Sequence, residues 1–167
     1  MVDPEELARQ LTLIEYALYH AIKPWEFLGL AWSKNRERAP NIIALINWSN
    51  HAGALVWTTI LQSADAKERA QTLRHWIRTA DHCRTMKNFN AVMEILSALG
   101  NACVNRLKQT FTLLPSKEAK VLEELRALMS PNQNSKAIRD HMVVVDPPCI
   151  PYLGLFLTDL TFIEDGN

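Results

Sequence analysis

Three prolines fall within five residues near the C-terminus, in Pro147-Pro148-Cys149-Ile150-Pro151, and they set the strictest local limit on this chain. Each lacks an N–H and holds φ fixed, so no helix can run through them. The segment must be a rigid, extended lead-in. After it, apolar residues recur at helical spacing as far as Gly166, which suits a C-terminal stop. On a wheel of about 100° per residue, Tyr152, Leu153, Phe156, Leu157, Leu160 and Ile163 share one broad face. Thr158, Thr161 and Asp165 form a narrow opposite stripe, flanked by Leu155 and Phe162. A helix that is apolar on its back and partly apolar beside a Thr/Asp edge has the pattern of one that presents that edge to a partner.

The preceding residues read as helices throughout. Asp3 is a good N-cap, Pro4 suits the first helical position and Glu6 lies three residues after the cap, so a capping box should open a helix from Pro4 to about Ala21. Pro24 opens a short second helix, Trp25 to Trp32, and the charged Ser33 to Ala39 is a loop. Pro40 begins a long helix ending near Leu61, with a polar middle, Asn47-Trp48-Ser49-Asn50-His51, that faces water or a partner and should expose Trp48. Gly53 weakens that helix by roughly 1 kcal/mol relative to Ala. Asp65 and Glu68 form a second capping-box pattern, before a stripe of Ala70, Leu73, Trp76, Ile77 and Ala80. Asn88 caps the next helix, with Phe89, Val92, Met93, Leu96 and Leu99, and Gly100 stops it. Val104 to Phe111 is a short helix, and Ser116 caps another with Val121, Leu122, Leu125 and Leu128 inward. Ser130 to Asn134 is a turn, followed by a weak helix to about Met142; Val143 to Val145 is a buried extended link. The sum is one all-α domain, a single irregular bundle of about eight or nine helices with short, mostly antiparallel connections.

Composition excludes several classes. Lys plus Arg, 18, equals Asp plus Glu, 18, which argues against a nucleic-acid binder that relies on a strong phosphate field. No apolar run approaches the ~20 residues needed to span a bilayer. The acidic N-terminus has no signal-peptide pattern, and three cysteines without paired spacing suit a reducing cytosol. There is no phosphate loop, dinucleotide glycine pattern or Gly-x-Ser-x-Gly. His75, His82 and Cys83 share one helix face but lack a fourth metal ligand, and Cys103 and Cys149 have no base at fixed spacing. Covalent catalysis and cofactors are therefore not expected.

Five ordered stretches resemble a known family. Asp3-Pro4-Glu5-Glu6-Leu7-Ala8-Arg9-Gln10-Leu11-Thr12-Leu13-Ile14-Glu15 resembles the opening motif of the catalytic domain of Ras-type guanine-nucleotide exchange factors. Met86-Lys87-Asn88-Phe89-Asn90-Ala91-Val92 is similar to that family's "NNFN" helix start, and Arg106-Leu107-Lys108-Gln109-Thr110-Phe111 to its "RLKxTW" segment. Pro147 to Gly154 and Leu157 to Asn167 resemble its most distinctive stretch.

The resemblance implies an exchange factor, without covalent chemistry, for a Ras-family small GTPase of Ras or Rap type. It implies a cytoplasmic protein brought to the membrane where the lipidated GTPase resides. In the family a helical hairpin wedges into the nucleotide site while a bowl on the domain grips a switch segment. The hairpin's first helix corresponds to Tyr152–Asp165, so Thr158, Thr161 and Asp165 would face the magnesium and phosphate end, with Phe162 beside them. Ile46 and Met93 match positions lining an apolar pocket for a switch aromatic, and Tyr152 matches its aromatic wall. Asn47 and Asn50 match helix positions that face the GTPase, and Gly100 and Asn101 lie at the same expected surface. Gly100 stands where the family often has Asn, Cys103 where it often has Pro, and Ser135 where an aromatic is usual. The family continues past its Gly-Asn pair with the hairpin's second helix and others, so residues 1–167 are expected to be a partial domain lacking the C-terminal third.

Overall fold

A computed structural model describes residues 1–166; Asn167, the last residue of the motif above, lies outside the described residues. The described chain is all-α. Its helices are α1 (Pro4–Ala21), α2 (Ala31–Lys34), α3 (Pro40–Leu61), α4 (Ala66–Thr85), α5 (Phe89–Gly100), α6 (Ala102–Asn105), α7 (Lys108–Thr112), α8 (Ser116–Leu128), α9 (Asn132–Val144) and α10 (Leu153–Asp165). Two 3₁₀ segments, Pro24–Leu30 and Arg36–Arg38, flank α2.

The caps form, but not as full boxes. Asp3 accepts from the N–H groups of Glu5 and Glu6, while the Glu6 carboxylate turns outward to Arg9 and Gln10. Asp65 accepts from Lys67 and Glu68, while the Glu68 carboxylate goes to the Ser63 hydroxyl. Arg9 and Ser63 outcompete the backbone for these carboxylates. Asn88 caps α5 through the Ala91 N–H. Ser116 is not a cap: Pro115 occupies that position and Ser116 is the first helical residue. The start of α3 is capped from a distance, because Glu26 accepts from the backbone N–H groups of Asn41 and Ile42 at 2.8 and 3.1 Å. Burial alone would raise the Glu26 pKa, but hydrogen bonds from Asn41, Ile42 and Lys23 outweigh it and hold the carboxylate below its ordinary range.

Other boundaries move for identifiable reasons. The expected helix 25–32 breaks where Leu28 is extended and Gly29 has φ 60°. Val104–Phe111 divides into α6 and α7 at Leu107, whose ψ of 57° is not helical. Within 132–144, Gln133, Asn134 and Ser135 all have positive φ, so regular helix begins after them. Val143 and Val144 are helical and exposed, not a buried extended link.

Two hydrophobic clusters hold the bundle. The larger joins α1, α3, α4, α5 and α8 through Leu11, Val56, Ile60, Leu73, Ile77, Phe89, Ile95 and Leu125. The smaller joins α2, α3 and α10 through Ala31, Ile42, Leu45 and Leu153. Trp48, expected outside, is half-buried and packs against both. Its ring fills the seam, and its N–H finds an acceptor in Glu15 at 3.4 Å, the partner a buried indole needs. The exposed tryptophan is Trp25.

The proline segment is stitched to the α4–α5 corner. Phe89 N–H donates to the Ile150 carbonyl at 2.8 Å, and Ile150 N–H donates to the Lys87 carbonyl at 2.9 Å. The Pro147–Pro148 peptide bond is cis. Pro147, Pro148 and Pro151 have no N–H to give, and Ile150, between Cys149 and Pro151, makes both bonds. The pairing places the start of α10 against α5.

Candidate functional site

A cleft of about 320 Å³ opens between α3 and α5. Small residues make the space: Ser49, Gly53 and Ala54 on α3 face Ser97 and Ala98 on α5. Asn50, Trp57 and Met93 line it further, Asn90 and Glu94 reach it from below, and Asn101 and Tyr152 complete it. The lining is an amphipathic mixture, with indole, thioether and phenol among amides and hydroxyls. Such a surface suits an anchoring side chain from another protein, held by a few polar contacts.

Beneath the cleft lies a buried polar network. Asn90, on α5, donates to Glu94 Oε1 at 2.8 Å and to Glu15 Oε2 at 3.2 Å, and its amide also lies 3.5 Å from the Ser49 hydroxyl. The Asn90 Oδ1 accepts from the Leu153 N–H at 3.4 Å. The two carboxyls share a hydrogen bond. Burial first, and the neighbouring Glu15 charge second, push the Glu94 carboxyl up to about 9. Burial also raises Glu15, against the hydrogen bonds it accepts from Glu94, Asn90 and Trp48. Glu94 therefore holds its proton at neutral pH. Among the described residues no buried side-chain N or O lacks a partner.

Tyr152 immediately precedes α10 and is half-buried; burial raises its phenol pKa. Its ring lies over Gly154, and a Cβ built there would collide with the phenol. The absence of a side chain at 154 thus gives Tyr152 its position beside the cleft. Further along α10, Arg139 of α9 grips Asp159 with two hydrogen bonds of 2.7 and 2.8 Å, which hold the Asp159 carboxylate below its usual range.

The expected site residues divide into three groups. Asn50, Met93, Asn101 and Tyr152 meet in the cleft. Ile46 packs on the smaller cluster and Asn47 is exposed on α3, both outside the cleft lining; Gly100 is exposed as the last residue of α5 rather than a terminator beyond it. Thr158, Thr161, Phe162 and Asp165 lie along α10 away from the cleft. Both threonine hydroxyls donate to carbonyls one turn back, Thr158 to Gly154 and Thr161 to Leu157, each at 2.8 Å. Spacings of three and four residues keep Thr158, Thr161 and Asp165 on one side.

The wheel misplaces Leu155. Expected beside the Thr/Asp stripe, it is 9% exposed and belongs to the larger cluster, while Leu153 belongs to the smaller one. The first turn of α10 lies between two clusters, so opposite sides of it are buried. Conversely Phe156, read as part of the apolar back, is 40% exposed.

Sequence reasoning missed Glu15, Asn90 and Glu94. One signal was available: Asn90 and Glu94 stand at i and i+4 inside a stripe of apolar residues, which puts two polar groups on one buried face. Of the three residues weighed as metal ligands, Cys83 is fully buried and burial raises its thiol pKa, which makes it a small apolar core residue. Among the described residues no helix is long and apolar enough to cross a membrane.

Comparison with known proteins bears on this arrangement. The RasGEF domain model matches residues 6–167. The chain is 46% identical over 167 residues to Ras guanine nucleotide exchange factor Y of Dictyostelium discoideum, covering 99% of this chain and 11% of that protein. It is 45% identical over 169 residues to factor E of the same organism, covering 99% and 16%. It is 37% identical over 164 residues to Ras-specific guanine nucleotide-releasing factor 1 of Rattus norvegicus, covering 97% and 13%. The chain thus spans well under a quarter of the length of these relatives. An all-helical fold and a match across nearly every residue agree: this chain belongs to the RasGEF domain family.

Proposed function

We propose that this chain promotes GDP release from a Ras-family GTPase, of Ras or Rap type, by binding and deforming it without covalent chemistry. The cleft carries the reading. It brings Asn50, Met93, Asn101 and Tyr152, from separate parts of the chain, around one amphipathic space beside the start of α10. In this reading a switch aromatic of the GTPase enters the cleft, with Met93 and Tyr152 as its apolar walls, and Ile46, Asn47 and Gly100 extend the contact.

α10 supplies the deformation. Thr158 and Thr161 direct their hydroxyl protons to their own helix, so their edge offers a partner bulk and lone pairs rather than donors. Asp165 adds a carboxylate at the far end of the same stripe. Set against a bound nucleotide, that edge repels phosphate and competes for the groups that hold Mg²⁺, while Phe162 packs beside it. Linkage then requires reciprocity: whatever the factor takes from nucleotide affinity, incoming nucleotide takes from the factor's affinity.

The test is release of a fluorescent GDP analogue from a panel of Ras and Rap proteins. Acceleration that depends on Tyr152 is expected, with Tyr152→Ala weakening binding by about 2 kcal/mol, or roughly 30-fold, if the ring is an anchor. A stable complex with no faster release would reduce the chain to a binding module. A lower unfolding midpoint with unchanged affinity of the folded fraction would return Tyr152 to the core.

A further inference from the structure

The bundle raises a question that the cleft alone does not answer: what sets the direction in which α10 leaves the core? Its first turn has free N–H groups, as every helix does. Tyr152, in the N-cap position, offers no side-chain acceptor to them. The Leu153 N–H instead donates across the fold to Asn90 Oδ1. The other end of that amide is fixed by Glu15 and Glu94, 3.2 and 2.8 Å away. Glu15 comes from α1 and is further held by Trp48 of α3. The amide thus joins α1, α3, α5 and α10 at one point. Asn90 is 2% exposed, Glu15 is 0% and Glu94 is 8%, so little water competes for these bonds.

An amide suits this point because it carries a donor and an acceptor on opposite sides. The donor side meets carboxyl oxygens and the acceptor side meets a helix N–H.

We infer that Asn90, held by the Glu15–Glu94 carboxyl pair, is a positioning residue for nucleotide exchange: it fixes the N-terminus of α10 and thereby the helix's angle toward the bound GTPase. The inference rests on the exchange reading above, and its test separates the two. The first readout is amide hydrogen exchange in the isolated chain, which needs no GTPase. In Asn90→Ala the Leu153 and Leu155 amides are expected to exchange at least ten times faster, while Leu73 and Ile77 of α4 keep wild-type rates. Equal acceleration at all four amides would mean a general loss of stability and would overturn the inference.

Glu94→Gln serves as the conservative control. It keeps an oxygen for Asn90 and replaces the carboxyl proton with an amide donor to Glu15, so Leu153 should stay protected. Should Asn90→Ala not fold, Asn90→Asp gives the same decision. It keeps an acceptor for Leu153 but gives up the amide donor to the carboxyls, so Leu153 protection should fall below that of the wild type. Unchanged protection in Asn90→Asp through pH 8 would show that the pair does not hold α10.

The second readout is saturation kinetics of GDP release. A displaced α10 predicts a tenfold lower kcat with KM within about twofold of wild type. A rise in KM alone makes Asn90 a contact within the cleft and overturns the positioning role. If the wild-type chain releases no nucleotide, the exchange reading fails, and the amide readout still decides whether Asn90 fixes α10.

Discussion

At its start α10 buries Leu153 and Leu155 between two hydrophobic clusters and is tied to α5 through Asn90; at its middle Arg139 ties it to α9. Toward its end Phe162 is 68% exposed, Ile163 is 59% exposed, and Glu164 and Asp165 lie at the surface. Within thirteen residues the helix passes from core element to displayed surface. The contrast separates two tasks that usually compete. Interactions that fix a helix stabilise the fold, whereas residues offered to a partner must remain outside it. The first half is packed into the fold and the second half is displayed, so side chains of the second half can vary with little cost to folding.

The sharpest way to break this contrast is to truncate one side chain in each half. Leu155→Ala removes methyl groups from a packed cluster and is expected to lower the unfolding free energy by about 2–4 kcal/mol. Phe162→Ala is expected to cost less than about 0.5 kcal/mol, despite removing a larger side chain, because its ring is mostly in water. Urea denaturation measures both. Similar losses would mean that the end of the helix is packed as tightly as its start.

The carboxyl pair behind the anchored half makes stability depend on pH. An unfolded Glu94 titrates near 4.5; in the fold, burial and then the Glu15 charge push it up to about 9. Between those values the native state holds a proton that the unfolded chain has released. Stability therefore declines as pH rises through this window, by at most about 1.4 kcal/mol per pH unit. Below the window both states are protonated and the contribution is whole; above it the contribution is gone. Glu94→Gln keeps its donor at every pH, so its urea midpoints between pH 6 and 9 should decline less than those of the wild type. Parallel declines would remove the shared proton from the account.

The smallest effect concerns the middle of α10. The Arg139–Asp159 pair is two-pronged, but its side chains are 30% and 32% exposed, so water screens it. Arg139→Met is expected to cost about 0.5–1 kcal/mol, with added salt weakening the wild type toward the variant. A loss above 2 kcal/mol would make this pair, rather than the buried amide, the principal restraint on α10.

Much of the fold was legible because its signals are local. Asp3, Asp65 and Asn88 mark helix starts through hydrogen bonds spanning two or three residues, which any reading of the chain can find. The all-α class, the long α3 with its polar middle and the extended proline segment follow from periodicity and from proline's missing donor. The motifs also pointed to Asn50, Met93, Asn101 and Tyr152, and these residues share the cleft lining.

What the chain order could not supply is whatever depends on partners far along it. Glu26 caps α3 from fifteen residues before Asn41, and Glu15 meets Asn90 across seventy-five. A capping-box pattern names a possible partner for Glu6 and Glu68, but Arg9 and Ser63 compete for them in space. A helical wheel assumes one buried side, and it failed at Leu155 because two clusters enclose the first turn of α10. The sequence by itself therefore determined the all-α class, the long helices and that the last helix has two unlike sides. Only the tertiary structure decided where that helix is held, because burial and carboxyl protonation are properties of surroundings assembled from α1, α3, α5 and α10 together.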